Sequence, residues 1–273
     1  MITIPSSVAN QYERFSLYNS PYPAHESGCA IDLYPSTDDA VSPVSGTVQT
    51  IKSVQCPEKT YATSKEYLLT IECESYTARM LHINPIVTVG EKINTGDCLG
   101  TLIRSGFFNR WVDKHIHLEF RSSAQDTHRA SGSLQIEVDV SVTGINWDGA
   151  GTICESGSTY ILINLPFTHT DSGFVGLADD DGIALDGGLT HYNAGGTFSP
   201  TRGERSLLGT VIGVADGRDI QWYDTSVYIN NNEATGLSLF AKRVPYRLKV
   251  IFDNGHEFDV GDKIKASVDP APN

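Results

Sequence analysis

Short β-forming runs, each closed off by Gly, Pro, Asn or Asp, recur along this chain, and nowhere does an apolar side chain return every three or four positions for long enough to define a helix. Segments 41–51, 66–73, 78–83, 99–103 and 115–120 are rich in β-branched and aromatic residues and are bounded by turn-formers. The pattern predicts an all-β chain with room for one short helix. Hydrophobic residues fill 40% of the 273 positions, enough for a packed core. The length suits one large β domain or two of ordinary size.

The composition shifts after Phe120. Segment 122–133 is polar, contains Asp126, His128 and Gly132, and reads as a linker or long surface loop. A second strand-rich region opens with the alternating run 134–142, the pattern of a strand with one wet face. The expected division is therefore 1–125 and 126–273. Segment 246–268 reads as a hairpin around Asp253-Asn254-Gly255. Val89-Gly90-Glu91-Lys92-Ile93 and Val260-Gly261-Asp262-Lys263-Ile264 share a pattern that fits one kind of turn entering a strand; a single short match is weak ground for a duplication.

Charge narrows the partners. A net charge of -13 repels phosphate backbones and excludes nucleic acid as a partner. No stretch approaches the ~20 apolar residues of a membrane helix, so membrane insertion is not expected. The opening Met1-Ile2-Thr3-Ile4-Pro5 lacks a basic and then apolar leader pattern; the chain as given reads as cytoplasmic, or as secreted if a leader has been removed. Five cysteines, odd in number and never spaced Cys-x-x-Cys, argue against a zinc knuckle or a disulfide framework.

The chemistry concentrates in His115-Ile116-His117-Leu118-Glu119-Phe120. On a strand, positions i and i+2 share a face, so His115, His117 and Glu119 line one side while Ile116, Leu118 and Phe120 enter the core. Two imidazoles side by side are half of a metal or acid–base site; the bland alternative is a pair of histidines on a wet face. Asp32 sits in the apolar run Cys29-Ala30-Ile31-Asp32-Leu33-Tyr34-Pro35, where a carboxylate needs a partner. His25 lies just upstream in His25-Glu26-Ser27-Gly28, and His82 in Met80-Leu81-His82-Ile83-Asn84-Pro85. Taken singly, each is more often a satisfied structural residue than a ligand. In the second half, Asp179-Asp180-Asp181-Gly182 with Asp186 has the composition of a calcium loop without its spacing and reads first as a solvated acidic turn, while Asp186-Gly187-Gly188-Leu189-Thr190-His191-Tyr192 reads equally as a segment approaching a ligand or the first domain's cleft and as turn chemistry. His169 and His256 read as incidental.

The order of these elements resembles the lysostaphin-type (LytM-like) zinc metallopeptidases over about the first 120 residues. That order is His then Asp, the segment Ala40-Val41-Ser42-Pro43-Val44-Ser45-Gly46-Thr47-Val48, a lone His, a Gly-rich turn pair at 87–100, and His-x-His. The resemblance implies a duplicated hybrid motif, barrel-sandwich-like, for that part of the chain; the second β-rich domain after it is read from the strand pattern alone. It implies one Zn2+ held by His25, Asp32 and His117. It makes His82 and His115 the non-ligand histidines that polarise the substrate carbonyl or shuttle a proton, and Glu119 a supporting residue. The implied activity is hydrolysis of a peptide or amide bond. The family places its first histidine four residues before the aspartate; here that position is Gly28, and His25 stands seven before. Either three extra loop residues still let His25 reach the metal or that ligand is lost, with Glu26 a spare candidate.

Two other readings compete. Segments 40–51 and 87–103 also resemble lipoyl and biotinyl carriers, with Lys114 as the modified residue; such a carrier needs that lysine exposed at a hairpin tip. The displaced His25 also fits a catalytically degraded domain acting as a scaffold or regulator.

Overall fold

The computed structural model describes residues 1–122, 132–166 and 173–271. The loop expected at 122–133, with Asp126 and His128, lies outside the described residues except for its ends, as does His169. Strand accounts for 55% of the chain and helix for 3%, so the fold is all-β. The helices are single turns, Ser6–Ala9 and Pro23–Glu26, and no helix among the described residues is long and apolar enough to cross a membrane. The chain separates into two compact units, residues 1–15 with 23–140 and residues 16–22 with 141–273.

In the first unit, six strands lie side by side in the order Ala30–Tyr34, Ile116–Ser122, Tyr76–Leu81, Lys65–Glu72, Gly46–Gln55 and Lys92–Ile93. All neighbours are antiparallel. A three-stranded antiparallel sheet, Asp39–Val41, Cys98–Leu102 and Ile83–Pro85, completes its barrel-like part. Alternation does the sorting: Ile116, Leu118 and Phe120 join Ile31, Leu33, Leu69, Ile71 and Met80 among the fully or almost fully buried side chains.

The boundary expected at 125/126 falls later, between 140 and 141. Ile136–Val138 pairs in parallel with Ile2–Ile4, which ties it to the first unit. Val142–Ile145 pairs in parallel with Phe174–Leu177 in the second. The alternating run 134–142 is thus two strands with different partners, a distinction that a period of two does not carry. Segment 16–22, on the other side of the chain, also belongs to the second unit.

The second unit is built on a ten-stranded sheet running Thr210–Trp222, Ala194–Leu207, Leu185–Leu189, Gly236–Leu239, Arg247–Ile251, Tyr160–Asn164, Ala150–Ser156, Lys263–Pro270, Thr225–Ile229 and Asn232–Ala234. Ile161, Ile163, Leu237, Leu239, Leu248 and Val250 form the centre of its core. Segment 246–268 is not a hairpin. Arg247–Ile251 pairs with Tyr160–Asn164 and Gly236–Leu239, and Lys263–Pro270 with Ala150–Ser156 and Thr225–Ile229. The turn at Asp253-Asn254-Gly255 exists, but Tyr160–Asn164 and Ala150–Ser156 intervene between its flanking strands.

Asp179, Asp180 and Asp186 are each bound by protein groups. Asp179 accepts from the backbone N–H groups of Asp181 and Ile183 and from Arg205, and Asp180 from those of Leu208 and Gly209. Asp186, completely buried, accepts from Ser16 Oγ at 2.5 Å and Leu17 N at 2.6 Å. These are turn and core contacts, the non-metal reading of the cluster.

The similarity of 89–93 to 260–264 is one local device. Glu91 and Asp262 each accept from the backbone N–H three residues earlier, Thr88 and Asp259, around a glycine at positive φ, Gly90 (+89°) and Gly261 (+98°). Asp97 repeats it with Asn94 and Gly96. Three uses in one chain mark a turn type, which accounts for the likeness without a duplication.

Candidate metal centre

His117 lies within Ile116–Ser122, and antiparallel pairing sets it opposite Asp32 on one side and Leu81 on the other. Directly opposed residues share a face, with Cβ atoms roughly 4.5–5.5 Å apart, so strand register alone brings imidazole and carboxylate together. His82 follows Leu81 and leaves the strand at φ +71°, a left-handed conformation that costs a residue with a Cβ about 1–3 kcal/mol. A clamp holds it there. The His82 backbone N–H donates to Glu66 Oε1 at 2.9 Å, and its ring Nδ1 lies 2.6 Å from Glu66 Oε2.

His25 arrives from the one-turn helix Pro23–Glu26. Gly28, at φ +62°, lets the chain reverse at once into Ala30–Tyr34, and the turn is closed by Cys29 N donating to Ala24 O at 2.7 Å. The reversal buries His25 fully and leaves neighbouring Glu26 exposed. The displaced histidine, not the glutamate, therefore faces Asp32.

Three donor atoms converge. His25 Nε2 lies 3.0 Å from His117 Nδ1 and 3.2 Å from Asp32 Oδ1, and His117 Nδ1 lies 3.1 Å from the same oxygen. Among the described residues, these three form a group able to hold a metal ion. The edges of this triangle fit zinc: bonds of about 2.0–2.1 Å in tetrahedral array put ligand atoms about 3.3–3.4 Å apart. Protons satisfy such a triangle poorly, because a hydrogen on one edge leaves another edge as two facing lone pairs, whereas a cation among the three satisfies all of them. The donor set, two imidazoles and one carboxylate, is that of an open zinc site.

Burial makes these contacts matter, since His25, Asp32, His82, His115 and His117 are each no more than 4% exposed. Burial pushes the Asp32 pKa up, but His115, His25 and His117 outweigh it and hold the carboxyl well below its usual range. For His117, burial acts downward and is overcome by hydrogen bonds to Asp32 and Glu119, which raise it to about 9. Raised so, it is an imidazolium between two carboxylates at pH 7, and a metal ion bound by its Nδ1 would have to displace the proton there. His115 goes the other way, lowered to about 4 chiefly by burial, so it is neutral at pH 7. Its Nδ1 lies 2.8 Å from Asp113 O, and a carbonyl only accepts, so Nδ1 carries the hydrogen and Nε2 the lone pair. That Nε2 is 3.4 Å from Asp32 Oδ1.

The polar face of Ile116–Ser122 is buried, not wet. His117, Glu119 and Arg121 all lie inside, because Glu119 ties them together. Its Oε1 is 2.9 Å from His117 Nε2 and pairs with Arg79, directly opposite across the strands. Its Oε2 accepts from Arg121 at 3.0 Å and from Ser133.

Two residues at this site have no counterpart in the sequence reading. Phe108 stacks on His115 with ring centroids 4.9 Å apart and planes 11° apart, and meets His82 edge-on at 4.5 Å. Glu66 heads the apolar run Glu66-Tyr67-Leu68-Leu69 and, like Asp32, is a carboxylate with apolar neighbours that needs a partner. Phe108 carries no such signal, because an aromatic in a Gly- and Asn-containing loop is unremarkable in composition. Lys114 pairs with Asp38 just ahead of the Ile116–Ser122 strand.

Comparison with known proteins adds little chemistry. No curated protein matches the sequence. The solution structure of lysostaphin is similar over 96% of this chain and 89% of that one, at 13% identity and a TM-score of 0.29, too weak a likeness to bear on fold or function. Residues 3–138 match the N-terminal domain, and residues 143–269 the C-terminal domain, of a family described as a domain of unknown function, DUF8155, so that the two matches together span nearly the whole chain and the chain belongs to the DUF8155 family.

Proposed function

We propose that the first unit is a zinc-dependent hydrolase acting on a peptide or amide bond. The observation that carries this reading is the triangle His25 Nε2, Asp32 Oδ1 and His117 Nδ1, with edges of 3.0–3.2 Å and two further histidines beside it. His25, Asp32 and His117 would hold the metal, and three protein ligands leave a fourth position for water or substrate. When bound, zinc supplies Lewis acidity, polarising a carbonyl and acidifying water. Glu119 keeps the His117 ring oriented through Nε2, so that Nδ1 is the nitrogen offered to the metal. His115, neutral and with its lone pair on Nε2, accepts a hydrogen bond from the attacking water and orients it for the proton transfer. The order of motifs that resembles the lysostaphin-type peptidases supports the same chemistry. The carrier alternative loses ground, because Lys114 is ion-paired to Asp38 rather than standing at a hairpin tip.

Elemental analysis of protein purified without chelators or a histidine tag should find one zinc per chain, removable by strong chelators. The zinc-loaded protein should cleave members of a peptide library, read by mass spectrometry. Zinc at background level in supplemented protein would sink the metal reading; one firmly held zinc with no cleavage across the library would leave the scaffold reading in its place. Glu119→Gln should weaken zinc binding by about 10–100-fold, as loss of a carboxylate behind a metal-binding imidazole typically does, measured by competition with a chromophoric chelator. An unchanged affinity would remove Glu119 from the site.

A further inference from the structure

Glu66 makes two contacts with a single residue. Its Oε1 accepts from the backbone N–H of His82 at 2.9 Å and from that of Tyr67 at 2.8 Å, while its Oε2 lies 2.6 Å from His82 Nδ1. Glu66 is buried, and Ser105 also hydrogen-bonds its carboxylate. Burial works to protonate it, but the contacts with His82 and Ser105 prevail and hold its pKa below the usual glutamate value. An ionised carboxylate only accepts, so His82 Nδ1 must carry the hydrogen. Phe108 closes on the same ring from another side at 4.5 Å, and the left-handed backbone at His82 is tied down by the bond to Oε1.

We propose that Glu66 is a positioning residue that locks His82 in one tautomer, hydrogen on Nδ1 and lone pair on Nε2, and thereby makes His82 the proton carrier of the site. The first half of this statement stands on the contacts alone; the second rests on the hydrolase reading above. In the reaction, Nε2 takes a proton from the attacking water as the new carbon–oxygen bond forms. It returns that proton to the amine nitrogen as the carbon–nitrogen bond breaks. Glu66 stays ionised throughout and steadies the charge that His82 carries between the two transfers.

The isosteric variant Glu66→Gln tests this with the sign of a hydrogen. The two backbone N–H groups at Oε1 require the amide oxygen to stay there. The amide NH2 then takes the place of Oε2 and must donate to His82 Nδ1, which forces the ring hydrogen onto Nε2. The full-length protein, labelled with 15N-histidine, should show His82 with hydrogen on Nδ1 in the wild type and on Nε2 in Glu66→Gln. The variant should keep its zinc content and its KM within a few-fold while kcat falls about 10²–10⁴-fold, and Glu66→Asp should restore both the tautomer and part of the rate. A residue that merely supported the fold would lower the melting temperature and zinc content without inverting the tautomer. An Nε2–H tautomer in the wild type overturns the proposal even if the variant does not fold, and so does a Glu66→Gln protein with wild-type kcat. If the tautomer inverts as expected but wild type and variants alike hydrolyse no peptide, the lock stands and the hydrolase reading fails, so the two ideas fail separately.

Discussion

Alanine in place of His117 should abolish zinc binding at working concentrations. His117 is central to the triangle: its Nδ1 faces both other donor atoms at 3.0 and 3.1 Å, and its Nε2 is held by Glu119. Removing a carboxylate behind such a ligand costs about 10–100-fold in affinity, so removing the ligand itself should cost more than about 100-fold. Competition with a chromophoric chelator measures this, with far-UV circular dichroism to check that the fold persists. His25→Ala should behave alike, because its Nε2 also forms two of the three edges, one to His117 and one to Asp32. Glu26→Gln should change nothing, because Glu26 is exposed beside a buried neighbour. Zinc retained by His117→Ala, or affinity that follows Glu26 instead of His25, would mean a different ligand set and would take away the main support for the hydrolase.

The second large effect is expected at His115. His115→Ala should keep its zinc and lose turnover by about 10²–10⁴-fold, the usual contribution of a group positioned in the acid–base step, here one that orients the water from which His82 takes the proton. The distinction from His117 is physical. His115 Nδ1 is engaged by Asp113 O and its Nε2 lies 3.4 Å from Asp32 Oδ1, outside the triangle that the other three donors form. The segment carrying it is pinned by Arg14, on the strand Arg14–Ser16 next to Ala30–Tyr34, which pairs with Asp113 at 2.7 Å, so losing the ring should leave the metal ligands in place. Phe108 loses its stacking partner in this variant, and the melting temperature should be recorded alongside the rate. If His115→Ala strips the metal while His117→Ala leaves it bound, the two histidines have exchanged roles and the mechanism must be rebuilt with His115 as the ligand beside Asp32.

Much of this protein is local, and what is local was legible. Turn-formers between short β-branched runs dictate an all-β chain, because strands of this length need neither a long apolar period nor a helix to connect them. The spacing of His115, His117 and Glu119 assigns them to one face through the pleat of a strand, whatever that strand pairs with. The repeated turn at Glu91 and Asp262 is likewise set by a glycine and an acidic residue next to each other.

Pairing partners are a different matter, since they depend on register between strands that no local window contains. That Asp32 stands opposite His117, 85 residues away, follows from one alignment out of several that alternation allows. Run 134–142 alternates without a break, yet Ile136–Val138 and Val142–Ile145 join different units because each found a different edge to pair with. The choice of His25 over Glu26 was made by a reversal at Gly28, and the clamp of Glu66 on His82 by adjacent strands folding a carboxylate beneath a turn 16 residues on. Burial explains why these outcomes are tertiary: a carboxylate or imidazole removed from water must find a partner, and only the assembled sheet determines which one is within reach.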